Sequence, residues 1–183
     1  KGFLLNSIRA TGNEVPIQVD AKATHPDGSM RHAVITLLAP RFDAKTPFAV
    51  DLVKRSATAV ESQPAGPSAA LLRDIEAEVV LSIDGERYFA SARELLAAKN
   101  QTTWLNGPLV TEWRLAAAFK DKTGNPHPHL AMKSALRVYR SGELRFDVAV
   151  ENGWAFAPAP QDYRYDVQVK FGDEVAYEKL NLL

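Results

Sequence analysis

Ile17-Gln18-Val19-Asp20-Ala21-Lys22-Ala23-Thr24 is followed by His25-Pro26-Asp27-Gly28-Ser29 and then by the apolar run Met30 to Leu38. Apolar and polar residues alternate through the first stretch, the period-2 pattern of a strand with one dry face and one wet face. Proline presets φ for the second position of a type I turn and Gly28 suits the left-handed position that follows, so the middle stretch reads as a hairpin turn. The run from Met30 then returns as a strand apolar enough to be central. The same turn signal recurs at Ile83-Asp84-Gly85-Glu86, Arg140-Ser141-Gly142-Glu143 and Phe171-Gly172-Asp173-Glu174.

Alternating runs flank these turns. Leu144, Phe146, Val148 and Val150 oppose Arg145, Asp147 and Glu151; Tyr163, Tyr165, Val167, Val169 and Phe171 oppose Arg164, Asp166, Gln168 and Lys170; Trp113, Leu115, Ala117 and Phe119 make another apolar face. Short strands separated by turns predict an all-β, mostly antiparallel fold of β-barrel or sandwich units rather than βαβ repeats. Ser91-Ala92-Arg93-Glu94 has the spacing of a capping box and leads into Leu95 to Ala98, so one short helix is expected there. The stretch Ser56 to Ser68 is rich in Ser, Ala, Pro and Gly without periodicity and reads as a connection. The expected organisation is an N-terminal β unit over 1–55, a linker over 56–72 and a C-terminal β unit over 73–183, with a strand from the second half completing the first sheet.

Of the 183 residues, 46% are hydrophobic and 24% charged, which is a folding composition. The 22 basic residues cancel the 22 acidic ones, and no basic-aromatic face tracks a phosphate backbone, so nucleic acid is not an expected partner. The longest apolar run, Ala33 to Pro40, falls short of the ~20 residues needed to cross a bilayer, and membrane insertion is not expected. Without cysteine there is neither a disulfide frame nor a thiolate metal site. No cofactor is expected. The chain starts at Lys1-Gly2-Phe3 and stops in an apolar stretch at Leu183, ends that read as cuts from a longer parent.

Histidines come first among residues that carry chemistry. His127 and His129 lie two apart in Asn125-Pro126-His127-Pro128-His129, read as an extended loop entering a strand at Leu130, where they are weak candidates to clamp a metal. His25, Asp27, Arg31 and His32, on the first hairpin, are candidates for the polar edge of a binding groove; the plainer reading of His32 is a partly buried imidazole satisfied by a carbonyl. Trp154 and Phe156, in the proline-rich stretch Gly153 to Pro160, are binding candidates if that loop is exposed, since aromatic rings stack on sugars or grip proteins. The plainer reading tucks Trp154 into the core. Glu112, Asp147, Glu151 and Asp166 are carboxylates on strands, of a kind that chance pairs readily. No Gly-x-Ser-x-Gly elbow, phosphate loop or dinucleotide fingerprint occurs, so no catalytic residue is assigned.

The stretch Thr24-His25-Pro26-Asp27-Gly28-Ser29-Met30-Arg31-His32-Ala33-Val34 resembles the hairpin of the N-terminal RIFT-barrel domain of exo-rhamnogalacturonan lyase-like proteins, matching at Pro26, Asp27, Gly28, Ser29 and Arg31. Gly107-Pro108-Leu109-Val110 and the strand Leu144 to Asn152 look like that family's second domain, and the chain is similar as well to phage-type β proteins. The resemblance implies a β scaffold and carries no catalytic residue across. The functional expectation is a non-catalytic β module of a larger protein, with a structural or assembly role or a cell-surface glycan-binding role, as in a phage virion or tail component. Its partners would be other chains of an assembly or a glycan, and its place a virion or an extracellular, cell-surface setting. The alternative is an accessory N-terminal portion of a polysaccharide lyase or hydrolase. A third reading is a self-contained enzyme using His32 with Arg31 or Glu112.

Overall fold

A computed structural model describes residues 4–9, 14–39, 41, 49–55, 76–99, 101–156, 158–159 and 162–183. The 56–72 segment read as a linker lies outside the described residues. In chain order the strands are β1 (Leu4–Arg9), β2 (Glu14–Val15), β3 (Ile17–Thr24), β4 (Met30–Leu37), β5 (Val50–Arg55), β6 (Ala77–Ile83), β7 (Glu86–Ser91), β8 (Gln101–Asn106), β9 (Val110–Lys120), β10 (Pro126–Tyr139), β11 (Leu144–Asn152), β12 (Tyr165–Phe171) and β13 (Glu174–Leu182). One helix, α1 (Ala92–Ala97), follows β7, and a 3-10 turn spans Gly153–Phe156. The protein is all-β and mostly antiparallel.

The turn chemistry read from the sequence closes the hairpins. At His25–Ser29 the Gly28 amide donates to the His25 carbonyl (2.9 Å) and the His25 amide to the Ser29 carbonyl (2.8 Å). Asp27 Oδ1 accepts from the Ser29 amide and hydroxyl, which holds its carboxyl below the usual range. Asp84 and Gly85 both take positive φ between β6 and β7, the type I′ geometry that suits the strand twist. A fifth hairpin, unread in the sequence, joins β9 to β10. There Asp121 Oδ1 accepts from the Thr123 amide and hydroxyl and from the Asn125 amide, bonds that pull its pKa down to about 2. Pro126 to His129, expected as a loop, are the first residues of β10. Proline is admitted at a strand's first residue and wherever no ladder amide is needed. Ser91 caps α1 by accepting from the Glu94 amide (3.3 Å), as the capping-box spacing implies.

The chain divides into two compact units. The first comprises Lys1–Pro67, Leu105–Thr111 and Val138–Glu143. It contains a three-stranded sheet in the order β2-β1-β5 and the two-stranded β3–β4 ladder. The strand expected to be central, β4, pairs only with β3 among the described residues, and it is half-buried to exposed throughout. A fully buried side chain, Gln18, organises this unit. Its Oε1 accepts from the Leu109 (2.8 Å) and Val110 (2.9 Å) amides, and its Nε2 donates to the Val110 carbonyl (2.9 Å) and to Asp20 Oδ2 (2.7 Å). Asp20 Oδ1 in turn accepts from the Asn106 amide (2.8 Å). A polar residue at an inward strand position is tolerated because each of its hydrogen-bonding atoms is matched.

The second unit comprises Ser68–Trp104, Glu112–Arg137 and Leu144–Leu183. The eight-stranded sheet runs β11-β10-β9-β7-β6-β12-β13, with β8 also paired to β9. Val79, Leu81, Ile83, Ala90, Phe119, Leu130, Met132 and Val167 form its core, and Tyr88, Leu95, Phe146, Val148 and Tyr165 pack against them. These are the apolar sets of alternating strands, brought to one side by the pleat.

Candidate functional site

The other face of β9, β10 and β11 carries the polar set. On β9, Trp113, Leu115 and Phe119 are buried while Arg114 and Ala116 are exposed; on β10, Met132 and Leu136 are buried while Lys133 is exposed; on β11, Arg145, Asp147, Ala149 and Glu151 are all exposed. Three alanines, Ala116, Ala135 and Ala149, sit on three neighbouring strands of this face, and their short side chains leave a trough between longer neighbours. The result is an open groove of about 700 Å³. Lys99, Gln101 and Thr102 bound it on the β8 side, and Glu112, Arg114, Lys133 and Asp147 supply its charge.

One groove residue departs from the surface rule. Glu112 is only 3% exposed, and a carboxylate so placed needs a partner. Arg137 provides it: Nε lies 2.7 Å from Glu112 Oε2, and Nη2 reaches the same oxygen. The pair fixes one wall of the groove. Around it, Arg145 Nε meets Asp147 Oδ1 at 3.0 Å and Lys133 Nζ meets Glu151 Oε2 at 2.8 Å, both exposed pairs that hold their geometry weakly. The Arg114 guanidinium lies over the Trp104 ring, 3.8 Å from its centroid. Stacking leaves the N–H edge of that guanidinium free to fork toward a ligand.

A second cluster in the same unit gathers His127, His129, Tyr88, Trp154 and Tyr163. His129 stacks on Trp154 with centroids 4.1 Å apart, while His127 meets Tyr88 and Tyr163 edge-on at 4.9 and 5.0 Å. His127 and Leu130, three apart, are both buried, so the strand's alternation slips between them. The slip is held by His127 Nδ1, which accepts from the His129 (3.2 Å) and Leu130 (2.9 Å) amides. Burial, and then the neighbouring His129, lower the His127 pKa and favour the neutral ring. With Nδ1 so occupied only Nε2 remains for a ligand, and among the described residues no group of three His, Asp or Glu converges to hold a metal. Trp154 is half-buried with one ring face covered by His129, and its Nε1 is a buried donor without a partner among the described residues. The Phe156 side chain lies outside the described residues.

The first-hairpin candidates remain at the surface. His25, Asp27, Arg31 and His32 are all exposed, His32 opposite Ala23 across a register shift of the β3–β4 ladder. The carboxylates singled out in the sequence are mostly engaged: Glu112, Asp147 and Glu151 hold cations, and Asp166 Oδ1 accepts from the Asn181 amide (2.8 Å). The groove itself was not read from the sequence. Its signals were present: a Glu directly before the apolar face that Trp113 opens, and alanines at wet positions of neighbouring strands. Among the described residues no helix is long and apolar enough to cross a membrane. No family model, no curated protein and no solved structure matches this chain, so the reading of the groove rests on its own side chains.

Proposed function

We propose that the chain is a non-catalytic, glycan-binding β module whose ligand lies in the groove across β8, β9, β10 and β11. The observation that carries this reading is a polar trough over alanines on strands whose backbones are already paired. β9 and β10 are interior strands, so a peptide gains no main-chain ladder by lying across them. Recognition there must come from side chains. A small apolar ligand favours an enclosed pocket, which this open groove is not. Glu112, Arg114, Asp147, Gln101, Thr102 and Lys133 offer interleaved donors and acceptors of the sort that a chain of hydroxyl-bearing rings can satisfy. Glu112 and Asp147 each hold an arginine, which favours recognition over acid-base chemistry.

The test fills the groove from its floor. Ala149→Trp and Ala116→Trp place an indole at exposed positions and leave the core untouched. Titration calorimetry with oligosaccharides identified on a glycan array should show binding to the parent chain and loss of at least about tenfold in both variants, equivalent to ~1.4 kcal/mol. Unchanged affinity in both variants would place any glycan elsewhere, with the Trp154 cluster as the next site to mutate.

Assembly with other protein chains is the second reading, and β13 favours it. This strand ends the sheet order, and Val175, Tyr177 and Leu180 on it are 45%, 52% and 62% exposed. Light scattering across a concentration series, with Tyr177→Lys as the control, tests that reading.

A further inference from the structure

We infer that the groove selects a glycan bearing a terminal three-oxygen anion, a sulfate ester or a phosphate monoester, over neutral sugars and over uronates. This rests on the glycan reading of the groove and adds the chemical class of its ligand. Lys99, Arg114 and Lys133 line the groove, and Arg137 and Arg145 stand behind its carboxylates, five cations against the three carboxylates Glu112, Asp147 and Glu151. Each of these carboxylates already faces a cation: Glu112 holds Arg137, Asp147 holds Arg145, and Glu151 holds Lys133. Lys99 and Arg114 have no carboxylate partner among the described residues, although both are exposed and both face the same trough. Arg114 is held flat by Trp104, so its fork loses little freedom on meeting an anion. The exposed Lys133–Glu151 pair is weak enough to exchange its partner. Three cationic side chains around one trough match three terminal oxygens better than the two of a carboxylate.

The experiment compares one trisaccharide in four forms, unsubstituted, uronate, 6-sulfate and 6-phosphate, by calorimetry against the full chain, Arg114→Gln, Lys99→Gln and Ala149→Trp. The sulfate form, the phosphate form or both should bind at least about tenfold tighter than the unsubstituted and uronate forms, with the two anion arms telling sulfate from phosphate. Arg114→Gln and Lys99→Gln should each erase most of that preference without unfolding the chain, because both replaced residues are exposed and outside the core. Raised salt should weaken only the anionic arms. Equal binding of all four forms, or an uronate as tight as the sulfate, overturns the inference and leaves the glycan reading standing. No binding in any arm, or binding that Ala149→Trp does not diminish, overturns both.

Discussion

Replacing Gly107 by alanine should destabilise the first unit through one side chain, Gln18. A Cβ at this position would lie 2.4 Å from Gln18 Cδ and 2.7 Å from both Cγ and Oε1. Gly107 is not among the residues with positive φ, so its backbone conformation is open to alanine and the clash is the whole cost. Gln18 is fully buried and cannot swing into solvent. Moving its amide by about 1 Å, to restore ordinary contact distances of 3.5–4 Å, breaks its bonds to the Leu109 and Val110 amides and to the Val110 carbonyl. Stranding buried amides costs ~1–3 kcal/mol each, and alanine returns ~0.4–1 kcal/mol through the unfolded chain. The net expectation is a loss of about 3 kcal/mol, or a Tm lower by roughly 6 to 12 °C for a chain of this size. Urea unfolding followed by circular dichroism measures the loss, and hydrogen exchange at Leu109 and Val110 locates it. Gln18→Ala alone should cost a similar amount, but adding Gly107→Ala to it should cost little more, because the clashing amide is gone. If the two losses add within ~0.5 kcal/mol, the contact with Gln18 is not why glycine stands there.

Two further outcomes follow from buried groups in the second unit. Arg137→Met leaves the Glu112 carboxylate buried and unpaired and should cost about 3 kcal/mol, whereas Arg137→Met with Glu112→Leu should recover most of it, as removal of a whole buried pair is often neutral; a double variant as unstable as the single one would contradict this. His127 gives a pH dependence. Its folded pKa is lowered, so the unfolded chain binds the proton more tightly, and stability should fall as pH drops below the unfolded imidazole value of ~6.5 and level off above it. His127→Asn should lose that part of the acid limb, read by urea midpoints from pH 8 to 5; an unchanged limb would mean that the ring is not held neutral.

Legibility tracked the range of the interactions. The marked turns at His25–Ser29, Ile83–Glu86, Arg140–Glu143 and Phe171–Glu174, and the Ser91 cap, depend on residues within five positions of one another, and each formed as read. The Asp121–Asn125 turn was equally local and still escaped, because the prolines beyond it suggested a loop; Asp121's bonds to Thr123 and Asn125 set the turn, and His127 Nδ1 carried the strand through the slip that follows. β4 looked central from its apolar run, but the number of neighbours a strand acquires is a property of topology.

The sequence by itself determined that this is an antiparallel β protein with one capped helical turn, since period-2 alternation and turn chemistry act over a few bonds of chain. Only the tertiary structure decided that Glu112 would meet Arg137, that Gln18 would receive the amides of a turn about ninety residues away, and that three alanines on separate strands would open a groove. The reason is physical: a strand pattern specifies which face a side chain takes, whereas its neighbours on that face are specified by the order and register of strands distant in the chain.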